Sequence, residues 1–253
     1  MSTLRTVNLC KRFGGLAAVE DVSVAIESGK ITSIIGPNGA GKTTLFNLIA
    51  GFLVPDSGDI WLDDRRLTGL RPYRVAAAGV SRSFQLVRVF PQLSVLDNIL
   101  LGYQRLKGDS LRQALLRTPG MLRQYRQKKE EAKRILEDAS LTSFETTIAN
   151  DISYGQQKLV ELGRAFAARP KMLMLDEPMA GLSMVMIERM ISLIRAAKAE
   201  GIGVAIIEHN MQVVMDISDA VVTMNFGKVL AAGTPAEVCA NQQVIDAYMG
   251  CQG

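Results

Sequence analysis

The sequence predicts an α/β fold whose parallel-sheet core carries an antiparallel β region at its start and a helical lobe inserted midway. Three observations predict it. Short β-type runs separated by turn residues open the chain, strands alternate with helical stretches from Gly36 onward, and residues from about 86 to 160 contain no strand-like run. The expected organisation is a single domain over 1–253, with a core of about 1–85 and 161–253 and a helical subdomain of about 86–160.

The opening runs LRTVNL, VEDVSVAIESGK, ITSIIG and, later, GDIWLDDRRL are rich in β-branched residues and bounded by Gly, Asn or Asp, as expected of antiparallel strands. Farther on, KMLMLDEP, GVAIIEHN and DAVVTMNFG are apolar without alternation, which suits parallel strands buried on both faces. Between them, MIERMISLIRAAKAEG has helical spacing. In the middle lobe, EEAKRIL and the spacing of Ile135, Leu136 and Leu141 suggest an amphipathic helix.

Composition narrows the class. With 253 residues, 48% hydrophobic and 21% charged, the chain can bury a core without disulfides or metal. Its longest uncharged run, Thr43 to Pro55, is well short of the roughly 20 residues of a membrane-spanning helix. No basic-then-apolar signal segment opens it, and Cys10, Cys239 and Cys251 are odd in number without CxxC spacing, both expectations of a reducing cytosol. The net charge of +4 is concentrated between Gln104 and Asn150, where ten Lys/Arg face six Asp/Glu. A solvated helical face accounts for that surplus, with an anionic lipid surface as the lesser reading. The lack of interleaved aromatics argues against nucleic acid.

The strand ITSII leads into GPNGAGKTT, and TLFNLIAG follows as a helix. Gly36, Gly41, Lys42 and Thr43 therefore match G-x-x-x-x-G-K-[ST] in the strand–turn–helix context that the motif needs. Such a loop, here Gly36, Pro37, Asn38, Gly39, Ala40, Gly41, Lys42, Thr43 and Thr44, curls so that N–H groups point at phosphate oxygens. Lys42 is expected to bridge the β- and γ-phosphates, and Thr43 to place its hydroxyl on Mg²⁺. The buried strand in KMLMLDEP delivers Asp176 and Glu177 to the sheet edge where the phosphates lie. Asp176 is expected in the Mg²⁺ shell, and Glu177 to orient or deprotonate the attacking water. The lone histidine, His209 in IIEHN, is of a kind that is more often structural, yet it follows VAIIE at the same end of the sheet.

Taken in order, GPNGAGKTT, SFQ, ISYGQQ, LMLDEP and EHN resemble the nucleotide-binding subunit of an ATP-binding cassette (ABC) transporter over nearly the whole chain. The resemblance implies a P-loop ABC ATPase core with an antiparallel β subdomain and an inserted helical subdomain, using ATP and Mg²⁺. It makes ISYGQQ the signature motif, whose helix start, with Ser153, Gly155 and Gln156, binds the γ-phosphate of ATP held by a second subunit. A Ser and a Gly opening a helix suit an anion, and otherwise make a plain N-cap. Gln85 becomes the Q-loop glutamine touching Mg²⁺ or the attacking water, and His209 the switch histidine on the γ-phosphate. Phe13 in KRFGGLAAV stands where an aromatic stacks on adenine, and serves equally as core, with Val19 as an apolar contact.

The implied partners are transmembrane permease subunits, a second ABC ATPase subunit that is identical or related, and indirectly a periplasmic or extracellular binding protein. Nucleic acid is not among them. The implied location is peripheral, on the cytoplasmic face of the cell membrane. Phe90, Pro91 and Leu93 in LVRVFPQLSVLDNIL lie where the family receives a coupling helix from the permease. Tyr154 in place of the first signature glycine, together with DEPMAGL, GFLVPDSG, RFGGL and AYMG, is similar to the branched-chain amino-acid importer subclass. Ser183 and Asn210 stand where Asp is frequent in the family. An importer ATPase for urea or short amides is the nearest alternative. A non-transport ABC ATPase would need long heptad arms or a second cassette, and a P-loop kinase or GTPase would need neither the signature nor the histidine.

Overall fold

A computed structural model describes residues 2–83, 88–103 and 119–249. The chain divides into two compact units: Met1–Ser83 with Pro170–Pro178 and Ala197–Gly253, and Phe84–Arg169 with Met179–Ala196.

The first unit holds two sheets. In the antiparallel one, β1 (Thr3–Phe13) pairs with β2 (Leu16–Val22), with β3 (Ala25–Glu27) and with β5 (Ser57–Leu62), which in turn pairs with β6 (Arg65–Arg66). The second sheet has the order β11-β10-β4-β9-β8-β7, built from β4 (Ile31–Ile35), β7 (Val80–Arg82), β8 (Met172–Asp176), β9 (Gly203–Ile207), β10 (Ala220–Asn225) and β11 (Lys228–Gly233). All its neighbours are parallel except β10 and β11, which form a hairpin. One expectation is corrected here. ITSII, read with the antiparallel runs of the start, is β4, a central strand lying parallel to β9 and β10. All five of its residues are buried, as are those of β8 and β9, the signature of a strand covered on both faces.

Those two faces feed different clusters because strand side chains alternate. Ile34, Met174, Ile207, Val222 and Met224 join Leu4, Leu9, Val22, Ile26 and Ile60 of the antiparallel sheet around helix α1 (Lys42–Ile49). From the other face, Ile35 and Val221 pack with Val214, Val238 and Val244, carried by α7 (Met211–Ile217), α8 (Pro235–Cys239) and α9 (Gln242–Met249). The short α2 (Pro72–Ala78) leads into β7.

The second unit is helical, and its described residues contain no strand, only an isolated bridge between Ser94 and Ile148. It contains α3 (Val95–Leu100), α4 (Pro119–Asp138), α5 (Tyr154–Ala167) and most of α6 (Met184–Ala199). Leu141, counted with Ile135 and Leu136 in one helical spacing, lies past the end of α4. Ser140 takes φ 52°, its N–H donates to the Glu137 carbonyl, and the Leu141 N–H donates to the Leu136 carbonyl, closing the helix in a Schellman motif. All three apolar side chains are nevertheless buried. The fully buried Asn98 accepts the Phe90 N–H at 2.8 Å and donates to the carbonyls of Phe90 and Ser94, each at 3.0 Å, so one side chain shapes the loop over 90–94. Among the described residues no helix is long and apolar enough to cross a membrane.

Candidate functional site

The loop between β4 and α1 has a conformation that only its glycines permit. Gly36 and Gly41 take φ 147° and 99°, and a side chain on either would collide with a backbone carbonyl, that of Met224 or of Ala18. Gly41 caps α1 without any side-chain hydrogen bond, so the first N–H groups of that helix have no side-chain acceptor. Lys42, nine-tenths buried, folds back and donates from Nζ to the carbonyls of Gly36 at 2.7 Å and Pro37 at 2.9 Å. Burial lowers the pKa of its ammonium, opposed by the charges of Glu177 and Asp176. Thr43 is exposed and Thr44 half-buried.

At the end of β8, Asp176 is 2% exposed. Its Oδ2 accepts a hydrogen bond from Arg82 Nη2 at 2.9 Å, while its Oδ1 is buried without a protein partner. Burial raises the Asp176 pKa, and the Arg82 guanidinium pulls it back. Arg82 also donates to Asn47 Oδ1 at 2.6 Å, and its guanidinium carbon lies 5.9 and 5.7 Å from the ring centroids of Phe46 and Phe52. Sequence reading missed Arg82, whose one signal was a cation following an apolar turn into a short strand. Glu177 follows with φ 50°, a left-handed conformation costly for a residue with a Cβ, held by its N–H donating to the Ile207 carbonyl at 3.0 Å. His209 Nε2–H donates to Glu177 Oε1 at 2.8 Å, since an ionised carboxylate can only accept. Asn210 caps α7 by accepting the N–H groups of Gln212 and Val213, which gives it a local role.

The phosphate loop, Glu177 and His209 share one cleft of about 570 Å³, while the buried Asp176 and its partner Arg82 lie outside its lining. Asn38, Gly39, Ala40, Gly41, Lys42, Thr43, Thr44, Glu177 and His209 line it, and Phe13, Leu16 and Phe226 add exposed apolar side chains. Gly36 and Pro37 lie outside the lining and act through the carbonyls that hold Lys42. Val19, expected as an apolar contact beside Phe13, is instead wholly buried in the core with Leu9 and Val22. Gln85 lies outside the described residues.

In the second unit, Ser153 caps α5. Its Oγ accepts the Gln156 N–H at 3.4 Å, and Gln156 Oε1 accepts the Ser153 N–H at 2.8 Å, a complete capping box. Tyr154 is half exposed, with Lys158 Nζ 5.4 Å from its ring centroid. Gly155 faces Leu182 and Met186, where an added Cβ would be crowded.

An open helix start after a buried strand, and an acid pair on the neighbouring sheet edge, define a P-loop nucleotide-binding protein. The chain belongs to the ABC transporter family, whose description matches residues 19–180, and a branched-chain amino acid ATP-binding cassette transporter description matches residues 228–250. It is 41% identical to the high-affinity branched-chain amino acid transport ATP-binding protein BraF of Pseudomonas aeruginosa, over 98% of this chain and 97% of that protein. It is 39% identical to LivG of Escherichia coli K12, a protein of the same description, over 98% of each. Among solved structures, a nucleotide-free ATP-binding cassette from an ABC transporter matches with a TM-score of 0.80 at 34% identity, over 98% of this chain and 99% of that one. A cassette in its ADP conformation matches with a TM-score of 0.81 at 33% identity, over 99% of each.

Proposed function

We propose that this chain is the ATP-hydrolysing subunit of an importer of branched-chain amino acids. It works at the cytoplasmic face of the cell membrane with permease subunits and a second ATPase subunit, identical or related. The cargo rests on the relatives' descriptions and on the match over residues 228–250. The hydrolytic role rests on one observation above all: Glu177 and His209, 2.8 Å apart, line the same cleft as the uncapped start of α1.

ATP would lie with its phosphates on that helix start, where Lys42 exchanges its two loop carbonyls for phosphate oxygens. The residues fit Mg²⁺: the orphaned Asp176 Oδ1 and the exposed Thr43 hydroxyl are hard oxygen donors, and Mg²⁺ uses few protein ligands besides phosphate and water. When bound, Mg²⁺ supplies charge neutralisation on the phosphates. Glu177 orients the attacking water and takes its proton. His209 holds the Glu177 carboxylate before nucleotide arrives and turns its Nε2–H to the γ-phosphate afterwards, and Gln85 completes the water's surroundings. Ser153, Gly155 and Gln156 serve the ATP of the second subunit. The exposed Phe90 and Pro91 and the half-buried Leu93, shaped by Asn98, receive the permease.

Glu177→Gln tests the chemistry. It is expected to keep ATP binding, stop turnover and accumulate an ATP-bound dimer on size-exclusion chromatography. Hydrolysis at a comparable rate would remove Glu177 as the base. Leucine uptake into proteoliposomes carrying the permeases tests the cargo, and uptake of urea in its place would reassign it.

A further inference from the structure

Between β10 and β11 the chain turns on Phe226 and Gly227 alone, since Asn225 pairs with Lys228. Both turn residues are left-handed, at φ 44° and 80°, the type I′ geometry that two-residue hairpins favour. That geometry suits Asn, Asp or Gly at the first position, and a bulky residue there is strained. Phe226 is also 83% exposed, leaving an aromatic ring in water. Neither property stabilises the hairpin, so the reason for the ring lies outside the hairpin.

The turn is anchored to the phosphate loop. The Gly227 N–H donates to the Ala40 carbonyl at 3.1 Å, and the Gly227 carbonyl accepts the Glu20 N–H at 2.8 Å. Phe226 therefore has its backbone fixed against the loop while its ring lines the same cleft as Phe13 and Leu16. Phe13 is only half available, because Lys11 Nζ lies over its ring 5.8 Å from the centroid and is held there by Asp56 at 2.7 Å. The cleft thus combines an anion-binding loop with three exposed apolar side chains.

We propose that Phe226 is a nucleobase-contacting residue, and that with Phe13 it makes the base subsite two-walled. A flat purine then finds an aromatic surface on each side, one from the β1 end and one from the β10–β11 turn. The proposal rests on the reading of this cleft as an ATP site. It predicts a contribution to the affinity for the base and none to the affinity for the phosphates.

The test compares ATP with inorganic tripolyphosphate by isothermal titration on the full chain. Phe226→Asn, a residue favoured at this turn position, is expected to weaken ATP binding by roughly five- to a hundredfold, the span of a lost aromatic–base stack. Tripolyphosphate affinity stays within about twofold, the melting temperature holds or rises, and Phe226→Tyr restores ATP affinity. Phe226→Trp in a Trp61→Phe background gives a second readout, in which ATP quenches the emission and tripolyphosphate does not. Unchanged ATP affinity in Phe226→Asn, or equal losses for both ligands, overturns the proposal. A wild-type chain that binds neither ligand overturns the ATP reading itself.

Discussion

Two helix starts in this protein were both expected to meet phosphate, and they are built in opposite ways. α1 begins at Gly41 with no side chain on its first N–H groups, whereas α5 begins at Ser153 with both members of a capping box in place. An open start is a standing anion site, because its N–H dipoles have no competing partner. A boxed start is satisfied within its own helix, so a phosphate arriving there has to displace Gln156 from the Ser153 N–H. The difference separates a helix start whose N–H groups stand open from one whose cap must be displaced before an anion can bind.

The largest expected effect falls on the open start. Lys42→Ala should cost at least about a hundredfold in hydrolysis and weaken ATP binding, since the loop keeps its shape and loses its principal charge. Near wild-type turnover in a phosphate-release assay would end the assignment of α1 as the primary site. Arg82→Met acts beside it through stability. It leaves Asp176 buried without its cation, and urea unfolding should show a loss of about 3–5 kcal/mol. Restoring much of that loss by adding Asp176→Asn would sharpen the point, because the neutral amide needs no cation.

His209→Ala should lower turnover about tenfold while sparing ATP affinity, since one contact is removed from a site with many. Equal losses in both would make its bond to Glu177 structural. The smallest effect belongs to the boxed start. Ser153→Ala removes an N-cap worth about 1 kcal/mol and should lower the melting temperature by about 2–4 °C, with ATP affinity of the isolated chain unchanged. A drop in affinity like that of Lys42→Ala would break the comparison, because α5 would then serve the chain's own nucleotide.

Much of the site was legible in advance because its chemistry is local. GPNGAGKTT carries in nine consecutive residues the glycines, lysine and threonine that a phosphate loop needs, and no distant residue changes that requirement. The same holds for the uniformly apolar runs of β8 and β9, whose double burial shows as missing alternation. What escaped was pairing over distance. Glu177 and His209 meet across 32 positions, and Arg82 and Asp176 across 94, because parallel strands bring their carboxyl ends together.

The sequence by itself determined the phosphate loop, the acid pair at the end of β8, the helical character of the middle and the family, all carried by residue type at short spacing. The tertiary structure alone decided that ITSII is a central strand, that Val19 faces inward, that Arg82 holds Asp176, and that Phe226 stands over the cleft. The reason is that strand order and register are set by the packing of whole faces against one another. A local pattern tells which side chains are to be buried, but not which distant strand will lie beside them.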